Sequence, residues 1–443
     1  MNIGLTNEYF PPFAPGGAEW SVLALAKALA RSHRVTVITP NYGAAPYEEL
    51  DGVRIYRFHY PARIVPGQTT VRYRWLTNPL FHLHFARHIL RVAQNEHLDI
   101  LHAQNKYALP GTWLAAARLR IPVVYTVRDT SMICPLGECF VQYDGVHPRC
   151  GHWGHWWRDC RPRYIDNYFP GRRNSLKLNA SLVWLAMDTR LRRWFFRRVD
   201  GIVGISRGIL QVHVQAGLLG GQATCVVYNL PPDDTPVPPD QVEALRDRLG
   251  LEQPACADKK LVLYVGRFSP GKGIPDLLAA ANTVVQEVPE ALFVFVGQGG
   301  LHPSGPHVVS LGQLSHDQVL RLYHLADLVV VPSRHPEALS RVALEAMAAG
   351  CALVGTRVGG IPEVIEDGVN GRLVARAKPV ELAEAITDLL LDDGLRVRMG
   401  QAGLDRLRTR FATEATLERL LAFYRQVIAA HGSRASLHEG GGT

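Results

Sequence analysis

The chain lacks an apolar run of the roughly 20 residues that a bilayer-spanning helix needs. Its longest stretch without a charged side chain, 208–232, is interrupted by glycine, glutamine and proline. The first residues, MNIGLTNEYFPP, contain no basic leader and reach Pro11 before an apolar signal block forms. Seven cysteines, an odd number in 443 residues, suit a reducing compartment better than a disulfide framework. We therefore expect a cytoplasmic protein.

Apolar residues make up 47% of the chain and charged residues 20%, a composition that excludes global disorder. The length of 443 residues predicts two or three domains, each with its own hydrophobic core. Short apolar runs alternate with amphipathic stretches, which predicts parallel sheets with crossover helices. One series of strands lies between residues 2 and 229 and a second between 260 and 356. The segment between the series, LPPDDTPVPPDQ, has five prolines in twelve residues and is predicted to be a linker.

These patterns predict an α/β protein with two Rossmann-like, doubly wound domains that face a central cleft. The predicted parts are an N-terminal domain at 1–230 with a cysteine- and tryptophan-rich insertion at 134–160, a linker at 231–241, a C-terminal domain at 242–410, a C-terminal helix at 411–430 that packs back toward the N-terminal domain, and a disordered tail at 431–443.

Positive charge is concentrated at the front of the chain. Residues 1–200 contain 26 Lys and Arg against 14 Asp and Glu, whereas the remainder contains 22 against 26. The surplus is densest over 158–198 and suits anionic lipid, an anionic acceptor or nucleic acid. The stretch 175–200 has apolar residues at helical spacing, which predicts a core helix with a basic face. The alternative is an interfacial helix, and membrane contact through the arginines is compatible with either.

Two glycine-containing turns follow predicted strands and open predicted helices. Gly16 and Gly17 let the backbone approach an anion at a helix N-terminus, or they form an ordinary flexible turn. GRFSPGKG at 266–273 matches most of a P-loop, but Gly273 stands where magnesium binding requires Ser or Thr, so an NTPase is the weaker interpretation. Arg267 and Lys272 remain suited to a diphosphate, unless this is a solvated turn with two cations.

The segment HPEALSRVALEAMAAG, 335–350, predicts a helix that begins after an N-cap at Ser340 and closes at Gly350. Backbone N–H groups of Ala338, Leu339 and Ser340 can meet a diphosphate at the helix start. Glu337 and Glu345 can then reach hydroxyl groups on either side. The alternative is an amphipathic helix whose glutamates favour its N-terminal half.

Here the chain resembles the family 4 glycosyltransferases of the GT-B fold, whose signature is two glutamates separated by seven residues. The resemblance covers nearly the whole chain, in order. The matching segments are GGAE at 16–19, GRFSPGKG at 266–273, LADLVVVPS at 325–333, the glutamate segment at 335–350 and GTRVGGIPEVIEDGVNGRLV at 355–374.

The resemblance implies retaining transfer of a sugar from a nucleotide-diphosphate sugar to a sugar or lipid-linked acceptor. It implies that Glu345 binds the nucleotide ribose, Glu337 binds the sugar, and Arg267 and Lys272 hold the diphosphate with the Gly16–Gly17 loop. No metal is then needed for catalysis, and nucleic acid is not an expected partner. An epimerase of the same fold and a non-catalytic nucleotide-sugar-binding protein are the alternatives.

One position departs from the family. A histidine often follows the fourth strand of the front domain, whereas YTVRD places Arg128 there, with Asp129 next. A guanidinium is a poor base near neutral pH, so Arg128 is expected to bind an anionic group, and Asp129 to orient an acceptor hydroxyl. The alternative for both is an ion pair at a strand end.

Four of the seven cysteines lie within 134–160: Cys134, Cys139, Cys150 and Cys160. Four thiolates suit structural zinc, although the spacing lacks paired CxxC knuckles. Free thiols in a packed loop and disulfides are the alternatives. Trp153, Trp156 and Trp157 are expected to form an aromatic wall for a sugar or a membrane, or to pack in the core.

Overall fold

The computed structural model describes residues 1–64, 70–136, 150, 152–232, 237–249 and 259–439, with the backbone alone for 434–439. The strands of its front sheet are β1 (Asn2–Thr6), β2 (Arg34–Asn41), β3 (Tyr47–Leu50), β4 (Val53–His59), β5 (Ile100–Ala103), β6 (Val123–Val127), β7 (Gly201–Gly204) and β8 (Ala223–Val226). Their order is β3-β4-β2-β1-β5-β6-β7-β8, and β3 is antiparallel to β4 while the other pairs are parallel.

A second sheet forms the core of the rear domain. Its strands are β9 (Lys260–Val265), β10 (Ala291–Val296), β11 (Val308–Gly312), β12 (Leu328–Val331), β13 (Ala352–Thr356) and β14 (Gly371–Val374). They pair in parallel in the order β11-β10-β9-β12-β13-β14. The prediction of two parallel-sheet α/β domains is confirmed.

Helices connect the strands of both sheets. In the front domain they are α1 (Gly17–Ala30), α2 (Tyr73–Leu76), α3 (Pro79–Asn95), α4 (Ala108–Leu119), α5 (Trp153–His155), α6 (Arg161–Tyr168), α7 (Leu176–Phe196) and α8 (Arg207–Gln215). In the remainder they are α9 (Pro239–Arg248), α10 (Ile274–Glu287), α11 (His316–Tyr323), α12 (Arg341–Ala348), α13 (Ile361–Val364), α14 (Pro379–Leu391), α15 (Asp393–Arg410) and α16 (Thr413–Glu439). A π-helical turn spans Trp156–Cys160 and a 3₁₀ turn Pro270–Lys272.

The last helix lies against the front domain, although it follows the rear domain in the chain. Phe423, Tyr424 and Val427 of α16 are buried in one cluster with Ile3 and other residues of the front sheet. Tyr424 Oη is 2.6 Å from the Nδ1 atom of His102, the third residue of β5. The chain therefore returns from the rear domain to the front domain through this helix, as predicted.

Two sequence predictions differ from the structure, and three strands were not predicted. Helix α16 continues to Glu439, so the expected tail at 431–443 is helical over most of its length, because Ala, Arg, Leu and Glu here are good helix formers. Helix α9 begins at Pro239, inside the expected linker, because proline fits the first turn of a helix. Strands β3, β4 and β14 were not predicted, since their polar residues obscure the apolar runs.

The predicted core helix is α7. Its side chains Leu182, Phe195 and Phe196 are buried, and Ser175 caps its start by accepting a hydrogen bond from Leu178 N. Within the part of the chain that the structure describes, no helix is both long enough and apolar enough to cross a membrane.

Candidate active site

The carboxyl ends of the two parallel sheets face each other across a cavity of about 330 Å³. The rear domain contributes Arg267, Lys272, Glu337, Ala338, Leu339, Ser340 and Arg341 to its lining, and the front domain contributes Gly17, Ala18, Ser21, Arg128 and Asn229. Ligands of doubly wound sheets bind at this edge. The structure thus brings together most of the residues that the sequence motifs nominated.

Glu337 lies in the loop before α12 and is held by hydrogen bonds from two side chains. Lys272 Nζ and Ser333 Oγ both donate to its Oε1 atom, the latter at 2.6 Å. Burial by itself raises the pKa of Glu337, but the charges of Lys272 and His335 outweigh burial and lower the pKa to about 2. Glu337 is therefore a fixed carboxylate that accepts hydrogen bonds at neutral pH.

Helix α12 presents its N-terminus to the cavity. Ser340 is its N-cap and accepts a hydrogen bond from Ala343 N at 3.2 Å, as predicted. Among the described residues, no protein acceptor is hydrogen-bonded to the backbone N–H of Ala338, Leu339 or Ser340. These three groups and the positive end of the helix dipole can therefore bind an anion.

The loop with Arg267 and Lys272 requires a glycine where a P-loop has Ser or Thr. Gly273 has φ +78°, and a Cβ atom there would lie 1.8 Å from the carbonyl oxygen of Pro332. A hydroxyl-bearing residue does not fit this backbone. This loop therefore cannot carry the Ser or Thr of a P-loop at position 273, while Lys272 reaches the cavity beside Glu337.

Glu345 lies in the second turn of α12 and does not line the cavity directly. Its side chain is 5% exposed, and its Oε1 atom accepts a hydrogen bond from Arg341 Nε at 2.6 Å. Tyr323 Oη donates to Oε2 at 3.2 Å, and burial together with this carboxylate raises the pKa of Tyr323 well above its usual value. Arg341 also donates to Ser21 Oγ across the cleft, at 3.1 Å.

The Gly16–Gly17 turn lies at the start of α1, opposite Arg341. Glu19 completes a capping box there, since its Oε2 atom accepts a hydrogen bond from Gly16 N at 3.1 Å. A Cβ atom on Gly17 would lie 2.9 Å from Arg341 Cδ. Gly17 therefore allows the front backbone to approach the rear domain closely, whereas Gly16 does not line the cavity.

A second cavity, of about 380 Å³, adjoins the first in the front domain and shares Ala18 and Arg128 with it. Its charged residues are Glu8, Glu19, Lys106, Arg128 and Asp129, and its aromatic residues are Tyr9, Tyr73, Tyr107 and Tyr125. Burial, reinforced by the nearby charge of Glu19, raises the pKa of Glu8 to about 7. Carboxylates beside tyrosine rings form a suitable surface for a polyhydroxylated molecule.

Arg128 and Asp129 are adjacent but have different partners. Arg128 donates to Gln104 Oε1 at 2.8 Å and to Asn229 Oδ1 at 3.0 Å, and burial lowers its pKa to about 10, so it stays cationic near neutral pH. Asp129 pairs with Lys106 at 3.6 Å. Although burial opposes ionisation, Lys106 and hydrogen bonds from Ser131 lower the pKa of Asp129. The two residues thus do not form an ion pair with each other.

The cysteine and tryptophan segment packs against α7. Cys134, Cys150 and Cys160 line one small cavity with His155, while Cys139 lies outside the described residues. Among the residues that the structure describes, no three His, Cys, Asp or Glu side chains are arranged to hold a metal ion. Structural zinc that includes Cys139 stays a prediction.

The aromatic rings of the three tryptophans in the same segment contact one another. The Trp153 ring centroid is 5.2 Å from that of Trp156 and 5.8 Å from that of Trp157. Trp156 is buried with Ile165, Leu182 and neighbouring residues. Core packing therefore accounts for Trp156, whereas Trp153 is 38% exposed.

Sequence motifs did not nominate Glu8, Lys106 or Asn229, which line the two cavities. Glu8 follows β1, Lys106 follows β5 and Asn229 follows β8, each at the carboxyl end of a strand. That position was the available signal, because functional residues of parallel sheets gather at this edge.

The fold and the cleft define the GT-B class of glycosyltransferases. A solved structure of this class, Anabaena HepE in complex with UDP-glucose, superimposes with a TM-score of 0.65 over 98% of this chain and 100% of that one, at 21% identity. At this identity the likeness shows the fold alone.

Two family models match the chain. The model "Glycosyltransferase Family 4" matches residues 15–230, and "Glycosyl transferases group 1" matches residues 252–406. Together they cover most of both domains, and the chain belongs to the family 4 glycosyltransferases.

Curated relatives are matched over part of their length. Spore coat protein SA of Bacillus subtilis is 35% identical over 199 residues, which is 41% of this chain and 52% of that protein. Alpha-D-kanosaminyltransferase of Streptomyces kanamyceticus is 32% identical over 193 residues, which is 41% of this chain and 48% of that protein. The alignments thus span about half the length of these relatives.

Proposed function

We propose that this protein transfers a sugar from a nucleotide-diphosphate sugar to an acceptor hydroxyl, with retention of anomeric configuration. The observation that carries the proposal is the convergence of Lys272, Glu337 and the N-terminus of α12 on one cavity between the domains. The proposed setting is the synthesis of cell-envelope polysaccharide, glycolipid or another glycoconjugate at the cytoplasmic face of an anionic membrane.

In this proposal the rear domain binds the donor. Arg267, Lys272 and the N–H groups of Ala338 to Ser340 hold the diphosphate, and the Gly16–Gly17 turn approaches it from the front. Glu337 binds a hydroxyl of the sugar. Glu345 is the proposed ribose ligand; because it does not line the cavity in this structure, this role requires its carboxylate to exchange the bond from Arg341 for the ribose. Lys272 lines the cavity and, besides the N–H that it donates to Glu337, has two further donors for the diphosphate.

The chemistry follows from the charge that develops on the donor. The bond from the anomeric carbon to the diphosphate oxygen breaks, the bond to the acceptor oxygen forms, and the acceptor proton passes to the departing phosphate. Two fixed cations and a helix N-terminus stabilise the departing charge without a metal ion. Positioning supplies a further part of the acceleration, since both substrates are bound in one cleft.

The front cavity is proposed to receive the acceptor. Arg128 remains cationic at neutral pH and therefore binds rather than accepts a proton. Asp129, which pairs with Lys106 and accepts a hydrogen bond from Ser131 N, is proposed to orient an acceptor hydroxyl. A sugar or lipid-linked molecule is the proposed acceptor, and nucleic acid is not a proposed partner.

The test is incubation of the purified protein with a panel of nucleotide sugars and candidate acceptors, followed by detection of free nucleotide and product. Transfer with one donor supports the proposal, and the anomeric configuration of the product reports retention. Conversion of a donor into its epimer indicates an epimerase of this fold. Donor binding without turnover on any acceptor indicates a binding protein instead.

A further inference from the structure

Helix α7 has a second apolar face, which points away from the core. Four large side chains on this face are exposed by 39–56%: Trp184, Met187, Leu191 and Trp194. Their spacing of three and four residues aligns them in one stripe along the helix. A helix that is half-buried in a domain ordinarily presents polar residues at such positions.

The stripe continues onto the neighbouring helices. Trp184 Nε1 donates a hydrogen bond to Thr77 Oγ1 at 2.8 Å, between α2 and α3. Beside it, Trp75, Leu80 and Leu83 are 40%, 69% and 55% exposed. We call these three residues and the four of α7 the docking face. Trp75, Leu80 and Leu83 also line an open groove of about 750 Å³.

The described segments that carry the docking face and its border have exposed arginines and no exposed carboxylate. The segments that build it and its border, 73–95, 108–119 and 176–198, contain one acidic residue. That residue, Asp188, is buried and bonded to Arg192 at 2.7 Å. Exposed arginines border the face: Arg74, Arg87, Arg118, Arg190, Arg197 and Arg198.

We propose that the docking face binds the surface of an anionic lipid bilayer. Its tryptophan, leucine and methionine side chains enter the boundary between headgroups and acyl chains, and the arginines contact lipid phosphates. A second copy of this chain is a poorer occupant, because a twofold contact would bring the arginines of both copies together without carboxylates. Nucleic acid is also poorer, since it offers no apolar counterpart for the leucines.

The same surface leads to the acceptor cavity through α2. Tyr73 and Leu76 of this short helix line the cavity, whereas Trp75 lies on the docking face. A lipid-linked acceptor held in the bilayer would therefore enter the cavity beside α2. This consequence rests on the proposed function, whereas bilayer binding itself does not.

The test is co-sedimentation of the full chain with vesicles of phosphatidylcholine alone or mixed with phosphatidylglycerol, at low and high salt and without donor. We expect binding to the anionic vesicles that weakens with salt. The double variant Met187→Gln with Leu191→Gln should lower vesicle affinity at least ~10-fold, through lost apolar burial. Arg190→Gln with Arg197→Gln should lower it about thirtyfold at low salt.

The matched control is Val397→Gln in α15 of the rear domain, where the side chain is 73% exposed. It should bind vesicles as the parent chain does, and circular dichroism should show all variants folded. Equal binding to neutral and anionic vesicles, or no binding at low salt, overturns the proposal. So does an unchanged affinity of the Met187 and Leu191 variant.

Two further outcomes would assign the face to another partner. In the first, the parent chain self-associates in ultracentrifugation and does not bind vesicles, and Met187→Gln with Leu191→Gln abolishes the self-association. The face would then bind a second copy of this chain. Tighter binding to a single-stranded oligonucleotide than to anionic vesicles would mean a polyanion site. Titration with nucleoside diphosphates, run in parallel, reports the donor pocket separately, so failure of docking and failure of the proposed function are distinguishable.

Discussion

The two sides of the cleft are constructed differently. On the rear side, most polar residues of the cavity wall come from two short continuous segments, 266–273 and 333–345, each of which includes or leads into the start of a helix. On the front side, Glu8, Lys106 and Asp129 follow three different strands and meet only because those strands are neighbours. A site made of continuous segments can be recognised in a sequence, whereas one made of strand ends depends on strand order.

The largest expected effect belongs to the rear side. Arg267→Ala, Lys272→Ala and Glu345→Ala should each lower transfer by at least ~10²-fold, the scale of one lost charge-stabilising contact. Turnover with saturating donor measures this, and circular dichroism checks that each variant is folded. Lys259→Ala is the control, because this lysine precedes β9 at the opposite edge of the sheet and bonds Pro289 O. Unchanged turnover in all three variants would refute the pocket assignment.

The rear loop should also be intolerant of a side chain at Gly273. In Gly273→Thr the threonine would have to adopt a left-handed backbone conformation, and its Cβ atom would lie 1.8 Å from the carbonyl oxygen of Pro332. We expect a loss of about 3 kcal/mol or more in the free energy of unfolding, together with weakened donor binding. Chemical denaturation measures the loss.

Gly300→Ser is the matched control, since nothing lies within 4 Å of its Cβ position. The control should keep the parent's stability within about 0.5 kcal/mol, as surface changes generally do. Equal stability of the Gly273 variant and the control would show that the loop tolerates the P-loop residue after all.

On the front side, the buried Glu8 should make the stability of the protein depend on pH. Because the folded pKa of Glu8 is about 7, against an ordinary 4.5, the folded state retains a proton that the unfolded chain releases. The stability contributed by Glu8 is thus present below pH 4.5 and is lost as pH rises through 7. Glu8→Gln removes this loss and should stabilise the protein by about 3 kcal/mol at pH 8, with little change at pH 4.

Denaturant unfolding at both pH values measures this effect, with the exposed Glu49→Gln as the control. The gain should appear for Glu8→Gln alone. A gain of the same size at both pH values would mean that the Glu8 carboxylate carries no burial penalty. Nucleoside diphosphate affinity should stay within about twofold, because Glu8 does not line the donor cavity.

The smallest expected effect is that of a chelator. If, as proposed, Arg267, Lys272 and the α12 N-terminus stabilise the diphosphate in place of a metal, transfer should survive EDTA unchanged. A strict and reversible need for magnesium or manganese in the chemical step would contradict this. Metal analysis of the parent chain and of Cys134→Ser and Cys150→Ser tests structural zinc independently.

The sequence predicted both sheets, the cap at Ser340 and most of the residues that line the cleft cavity, because apolar periodicity, capping and motif spacing are local properties. It did not predict that Arg341 would bridge Glu345 and Ser21, since this contact joins residues 320 positions apart. It also did not predict the edge strand β3 or its neighbour β4, whose polar residues hide the pattern of a buried strand.

The proposal that the rear domain binds the donor and the front domain binds the acceptor can be tested without knowing the acceptor. Titration calorimetry with UDP, GDP and ADP should find one diphosphate that binds the parent chain. Lys272→Ala should bind it at least ~10-fold more weakly, as expected for a lost charge-assisted hydrogen bond, whereas Asp129→Ala should stay within about twofold. An Asp129 variant that loses as much affinity as the Lys272 variant, or a Lys272 variant that loses none, would contradict the account.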